Sequence, residues 1–237
     1  MKIGKMSISL VLILIANNSL FGQVGSFQNN IKEAYIPKEL LNISSRNNIT
    51  DANATVGSAY LFESQVKGAI STKKYGLVRG FELNYDLSKD DLLIYRNGLT
   101  RILHITEIDS FWVSNSVHVF LNLSDITKGA KSGMAVLINK TSDDIYLVKV
   151  SSANLLPPNY NPQFNTGSKM ATWIIKEVFY IIKNTELLSL KEAEKQSSKV
   201  FGENAKNISI YVKQNKLKFK NIMDWVTIFE YYNTLVY

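Results

Sequence analysis

Between residues 66 and 150 apolar and polar positions alternate in short runs. In "GFELNYDL" Phe81, Leu83, Tyr85 and Leu87 alternate with polar residues, the period-2 signature of a strand with one buried face. Val66, Ala69 and Ile70 lie in an earlier run, and "DLLIYRNG" closes on Arg-Asn-Gly, a two-residue hairpin signal. "TRILHIT" sets Ile102 and His104 on one face and Leu103 and Ile105 on the other; "IDSFWVS" and "VHVFLNL" continue the pattern. Strands of 5–7 residues joined by 3–6 residues predict antiparallel meanders rather than parallel crossover units. "GMAVLINKTSDDIYLVKV" predicts a hairpin turning at Thr141 to Asp144. Pro157, Pro158 and Pro162 then enforce a break, since proline fixes φ and removes a donor. "TWIIKEVFYIIKNTE" predicts one last strand pair, with a helix as the alternative.

After Thr185 the period becomes helical. Ser189 and Glu192 have the spacing of a capping box, and "LKEAEKQSSKVF" runs as one helix to Gly202, a suitable terminator. Ile208, Tyr211, Val212 and Asn215 recur at helical spacing. In the closing stretch "YVKQNKLKFKNIMDWVTIFEYYNTLVY", Asn221 can cap a helix whose Ile222, Trp225, Phe229 and Tyr232 share one face. An outer-membrane barrel strand would alternate over about ten positions, and "FEYYNTLVY" does not. The expectation is a tail that docks its aromatic ridge on the chain's own core.

The first residues set the compartment. Lys2 and Lys5 precede the apolar run Met6 to Ala16, followed by the polar "NNSLFGQ". This is the layout of a secretory signal peptide, with cleavage expected after Gly22. The run is short of the roughly 20 apolar residues that span a bilayer, and no later stretch predicts a span in the mature chain. With no cysteine, an exported chain has neither a lipidation site nor disulfides and depends on its core. Residues 23–55 are rich in Asn, Ser and Thr, and only the run 36–41 can pack. They read as an irregular leader or linker. The sequons at Asn42, Asn48 and Asn53 would matter only in a eukaryotic secretory pathway. Cleavage removes two of the charges that make up the net +7. The remaining excess permits attraction to anionic polymers or lipid headgroups without demanding it.

Two blocks carry a resemblance. They are "GSAYLFESQVKGAI" with "FELNYDLSKDDLLIYRNGLTRILHITEIDSFWV", and "IYVKQNKLKFKNIMDWVTIFEYYNTL", over residues 57–113 and 208–235. Together they resemble a family of uncharacterised secreted proteins of the Bacteroidota, chiefly through the C-terminal block. The segment 133–162 departs from that family's hairpin, and "FKNIMDW" carries one acid where the family has two. The resemblance implies export and architecture. It implies no reaction and no site residue.

The expected fold class is α+β. After a signal peptide (1–22) and a leader (23–55), an antiparallel β-rich domain, sandwich-like or a partial barrel, spans 56–185. A small C-terminal helical subdomain spans 186–237.

Candidate chemistry is sparse. His104 and His118 are the only histidines; with Glu107 and Asp109 they make no metal-ligand spacing. "GAKSG" at 129–133 is neither a nucleophile elbow nor a phosphate loop. Ser64/Lys67 and Ser71/Lys74 have Ser-x-x-Lys spacing of a kind that chance supplies. The acid pairs Asp90/Asp91 and Asp143/Asp144 sit at turns, where carboxylates usually face water; a glycosidase needs two facing each other across a sugar. "KQNKLKFK" mixes four lysines with one phenylalanine and reads as a solvated inter-helix link. No catalytic residue, metal ligand or cofactor is assigned, and no nucleic-acid partner is expected.

The function expected is an exported, non-enzymatic binding or envelope-associated protein, placed in the periplasm, at the outer membrane or outside the cell. Its ligand or envelope partner is unspecified. One alternative is an exported hydrolase of glycan or peptide using Asp90, Asp91 or Asp143. The other is a peripheral membrane protein using residues 213–220 and the final helix.

Overall fold

The computed structural model describes residues 55–114, 118–129 and 132–236, all within one unit. The expected signal peptide and nearly all of the expected leader lie outside the described residues. The described chain opens with β1 (Thr55–Val56). Then β2 (Val66–Thr72), β3 (Gly76–Asp86), β4 (Asp91–Arg96) and β5 (Leu99–His104) form an antiparallel meander. The turn between β4 and β5 is Asn97-Gly98, with φ of 51° and 75°. Asparagine and glycine tolerate this left-handed pair, and its twist matches that of the strands.

The chain returns across β2. β6 (Ile108–Val113) pairs with the other side of β2, and β7 (Val119–Asn122), β8 (Met134–Lys140), β9 (Tyr146–Leu156) and β10 (Ala171–Lys183) add outward in antiparallel order. β11 (Glu186–Ser189) folds back on Tyr180 to Lys183, and β1 lies parallel to Ala171 and Thr172. The result is one 11-stranded sheet. It curls without closing into a barrel: the Ala153 N–H reaches the Leu87 carbonyl at 3.4 Å, yet no ladder joins β9 to β3. Close approach inside the curl requires Gly68, where a Cβ would lie 2.5 Å from the Trp112 carbonyl oxygen and 2.6 Å from Leu83 Cδ2. The β2–β3 register shifts at this point.

The α+β class and the antiparallel meander are as expected, but strand length is not. β3 and β9 each run 11 residues and β10 runs 13, where 5–7 were anticipated. "TWIIKEVFYIIK" falls within a single strand, and the strand pair is completed by β11 across Asn184-Thr185.

The curl encloses a first core, in which Leu83, Tyr85, Leu92, Leu103, Ile108 and Phe111 are almost wholly buried. Phe111 stacks on Phe120, centroids 4.3 Å apart and planes 5° from parallel. A second core lies between the sheet and the C-terminal helices. Leu147, Ile181 and Leu188 come from the sheet and Ile145 from the turn just before β9; Ala193, Val200, Phe201, Ile208, Val212, Trp225, Ile228, Phe229 and Tyr232 come from the helical segments. On the opposite face of β8–β10 a smaller cluster of Leu123, Ala135, Val148 and Ile182 is capped by α1 (Leu123–Ile126).

The helices are α2 (Leu190–Lys195), α3 (Ser197–Phe201), α4 (Ala205–Gln214) and α5 (Ile222–Val236). Ser189 and Glu192 form the expected capping box in full. The single helix expected to reach Gly202 is broken at Gln196 (φ −107°, ψ 36°). The break precedes Ser197-Ser198, whose hydroxyl side chains weaken helix interiors. Asn221 caps α5, accepting the Met223 N–H at 3.0 Å. Trp225, Ile228 and Phe229 are completely buried, and the Trp225 indole N–H donates to the Phe219 carbonyl. Burying each such side chain is worth about 1.5–3 kcal/mol, so the tail is an integral part of the fold. Among the described residues no helix is long and apolar enough to cross a membrane.

Candidate functional site

The turn carboxylates hold the fold together at separate places. Asp90 sits at positive φ (56°) in the β3–β4 turn. One of its oxygens accepts the Tyr85 hydroxyl at 2.9 Å, the other accepts Ser132 Oγ at 3.1 Å. The Tyr85 oxygen in turn accepts the Met134 N–H at 3.3 Å. This relay fastens the β3–β4 turn to the start of β8, two places that β7, β6 and β2 separate in the sheet. Burial, and next the Asp90 charge, raise the Tyr85 pKa far above the ordinary phenol value, so the hydroxyl stays a donor. Asp91 faces His104 across β4–β5, with Oδ1 and Nδ1 3.1 Å apart on an exposed imidazole.

Asp143 holds the β8–β9 turn. Its carboxylate accepts Thr141 Oγ1 at 2.7 Å, Lys183 Nζ at 2.7 Å and the Tyr232 hydroxyl at 2.8 Å. Burial pushes the Asp143 pKa up, but the bonds from Lys183, Thr141 and Tyr232 outweigh it and hold the carboxyl below its ordinary value. The Tyr232 phenol is pushed up to about 12, first by burial and then by the Asp143 carboxylate. Asp144 pairs with Lys140 at the surface at 2.7 Å. The two acid pairs thus bond to entirely different partners, and neither presents two free carboxylates across a cleft.

The other candidates separate as well. Ser71 Oγ donates to Asp109 Oδ2 at 3.3 Å, and Lys74 lies over the Tyr75 ring at 4.9 Å. Ser64, Lys67 and His118 are exposed. Among the described residues no group of three His, Asp or Glu side chains could hold a metal ion. A shallow open depression of about 450 Å³ is lined by Tyr60, Glu63, Ser64, Gln65, Asn84 and Tyr95. Its deepest amide, Asn84, is already engaged: Oδ1 accepts the N–H groups of Phe62 and Tyr85, and Nδ2 donates to the Phe62 carbonyl.

What sequence reasoning missed is the far end of the β9–β10 ribbon. Leu155, Leu156, Ile174 and Ile175 are 44–52% exposed, Met170 43%, and Phe164 in the connecting loop 72%. Val56 of the paired β1 is 43% exposed. Seven of the thirteen large exposed apolar side chains among the described residues therefore fall on this end of the ribbon, its connecting loop and the paired β1. By the register, Leu156 and Ile174 share one face with Val56, and Leu155 and Ile175 share the other with Trp173. The outer edge of β10 at residues 173–179 also has no neighbouring strand among the described residues, because β1 pairs no further along β10 than Thr172 and β11 pairs only from Tyr180 onward. The available signal was "WIIKEVF", an apolar run without proline, which reads identically whether or not something covers it.

No protein-family model, curated protein or solved structure matches the chain.

Proposed function

We propose that the chain is an exported, envelope-associated binding protein that works through an exposed surface rather than an enclosed pocket. The N-terminal signal-like segment and the resemblance to secreted Bacteroidota proteins support export. The apolar end of the β9–β10 ribbon, with its open β10 edge, carries the binding reading. An extended segment of a partner protein would add along residues 173–179 through main-chain hydrogen bonds and set apolar side chains against Ile174, Ile175 and Leu156. Lys176 and Glu177 at the middle of the edge discourage indiscriminate strand pairing. Asp90, Asp91 and Asp143 each bond to separate neighbours, which favours the binding reading over the hydrolase alternative.

The test combines fractionation with site-specific photocrosslinking from position 174 in the source cells. Export predicts a mature chain lacking its first residues outside the cytoplasm, and a discrete crosslinked species that disappears in a Leu156→Asp background. Retention of Met1 in the cytoplasm, or crosslinking that Leu156→Asp leaves unchanged, overturns the reading.

A further inference from the structure

We infer that the outward face of α4 and the link into α5 is a docking surface for an anionic lipid bilayer. Residues 204–223 contain five lysines (Lys206, Lys213, Lys216, Lys218, Lys220) and no acid. All five are exposed. Elsewhere Lys73, Lys140, Lys149, Lys183 and Lys199 each pair with a carboxylate; among the described residues these five pair with none.

Their orientation follows from local structure. At 100° per residue, Lys206, Ile210 and Lys213 fall within a narrow arc of α4, and Ile208 and Val212 are buried on the opposite side. The helix ends in a paired turn: the Leu217 N–H bonds to the Val212 carbonyl at 2.9 Å and the Lys216 N–H to the Lys213 carbonyl at 3.3 Å. Lys216 takes the left-handed position there (φ 56°). In the link Leu217 and Phe219 pack against the second core while Lys218 and Lys220 point to solvent. The nearest acid after this stretch, Asp224, is occupied by the Lys218 N–H at 2.7 Å and the Asn221 amide at 3.3 Å.

Two exposed aliphatic side chains decide the class of partner. Ile210 is 45% and Met223 65% exposed beside the lysines. They gain nothing from a phosphodiester backbone but can enter the acyl boundary beneath lipid headgroups. The aromatic side chains of the region do not offer a platform for bases: Tyr211 stacks on Tyr231 at 3.8 Å and Phe219 packs on Trp225. A nucleic acid would want such a platform. This surface is independent of the β9–β10 ribbon, and either can fail without the other.

The test is co-sedimentation of the full chain with vesicles containing phosphatidylglycerol, against vesicles of phosphatidylcholine alone. Binding is expected only to the former, falling as salt is raised. Each Lys→Gln substitution should lower partitioning about fivefold, and Lys213→Gln/Lys218→Gln/Lys220→Gln together about a hundredfold. The matching Lys→Arg triple variant should bind as the parent does. Met223→Gln should weaken the binding that survives high salt. All four positions are exposed, so thermal unfolding controls should not move. Equal sedimentation with both vesicle types, indifference to the triple Gln variant, no vesicle binding, or binding to a DNA oligonucleotide in place of vesicles overturns the inference.

Discussion

The β9–β10 ribbon has two ends built from the same kinds of residue and treated in opposite ways. Near the β8–β9 turn, Leu147 pairs with Ile181, both in the second core, while Val148 and Ile182 fill the cluster on the other face. All four are essentially inaccessible. Toward the β9–β10 loop, Leu155 pairs with Trp173 and Leu156 with Thr172, and Ile174 and Ile175 follow. Trp173 and Ala153 still lean on the first core, but the aliphatic residues around them stay half in water. The β9–β10 ladder is continuous from end to end, but the covered end is also paired on its outer edges, by β8 at Tyr146 to Val150 and by β11 at Tyr180 to Lys183. The ends differ in that outer pairing and in cover: α2–α5 lie over one and no described helix lies over the other. Hydrophobic surface left in the open at one end of an otherwise well-packed strand pair is the surface on which the proposed partner would dock.

That contrast can be broken most directly by truncation. Ile181→Ala should cost about 2–5 kcal/mol, the usual range for opening a buried aliphatic site. Ile175→Ala should stay within about 0.5 kcal/mol, as surface changes do. Urea midpoints of the two variants measure both. Similar losses would mean that the free end is covered in solution by something within the chain.

Next in size is the latch at the covered end. Asp143→Ala removes a charged acceptor shared by Thr141, Lys183 and Tyr232 and should cost about 1.5–3 kcal/mol. The same latch sets a pH signature. The folded pKa of Asp143 lies below the reference value of 3.8, so its stabilisation is complete at neutral pH. It is lost as pH falls below that reference and through the folded value. The Tyr232 phenol is displaced the other way, from 10.0 to about 12. Its share is complete below pH 10 and is lost between there and about pH 12. Asp143→Asn should flatten both limbs of a stability–pH profile. An unchanged profile would show that the latch does not form.

How far these features could be read in advance depends on how local they are. The Asn97-Gly98 hairpin, the Ser189–Glu192 capping box and the stripe of Trp225, Phe229 and Tyr232 are each written within a dozen residues, and each is found as expected. The break at Gln196 is also local, but helical periodicity continues through it and conceals it. The placement of β2 between β3 and β6 depends on pairing across 40 residues or so of chain and leaves no periodic trace. The turn acids were recognisable as turn residues. Their roles were not, since Asp143 meets Tyr232 from 89 positions away and Tyr85 meets Met134 from 49. The exposed end of the ribbon was least legible, because alternation and apolar content report what can be buried and are silent on whether anything arrives to bury it.

A smaller gain is available at the covered end. Thr185 occupies the second position of the two-residue β10–β11 turn with φ of 67°, unfavourable for a β-branched residue. Thr185→Gly should stabilise by about 1 kcal/mol, the cost of a left-handed L-residue, visible as a higher melting temperature. No gain would mean that the bond from the Lys128 N–H to the Thr185 carbonyl depends on the threonine holding that turn.

The smallest effect on stability should come from a change on the surface proposed for binding. Ile174→Lys places a charge on the apolar end of β10 beside Leu156 and Val56, at a side chain already 44% exposed. The strand keeps its ladder to β9, because the Ile174–Asn154 pairing is a main-chain matter, and a lysine stem can lie along the neighbouring aliphatic groups. The urea midpoint should therefore move by no more than about 0.5 kcal/mol in equivalent free energy. Partner capture at that position should vanish, since the incoming apolar side chains would have to strip water from an ammonium group with nothing to pair it. If Ile174→Lys instead unfolds the protein, the ribbon end is buried in the free chain and the two ends of β9–β10 do not differ as argued.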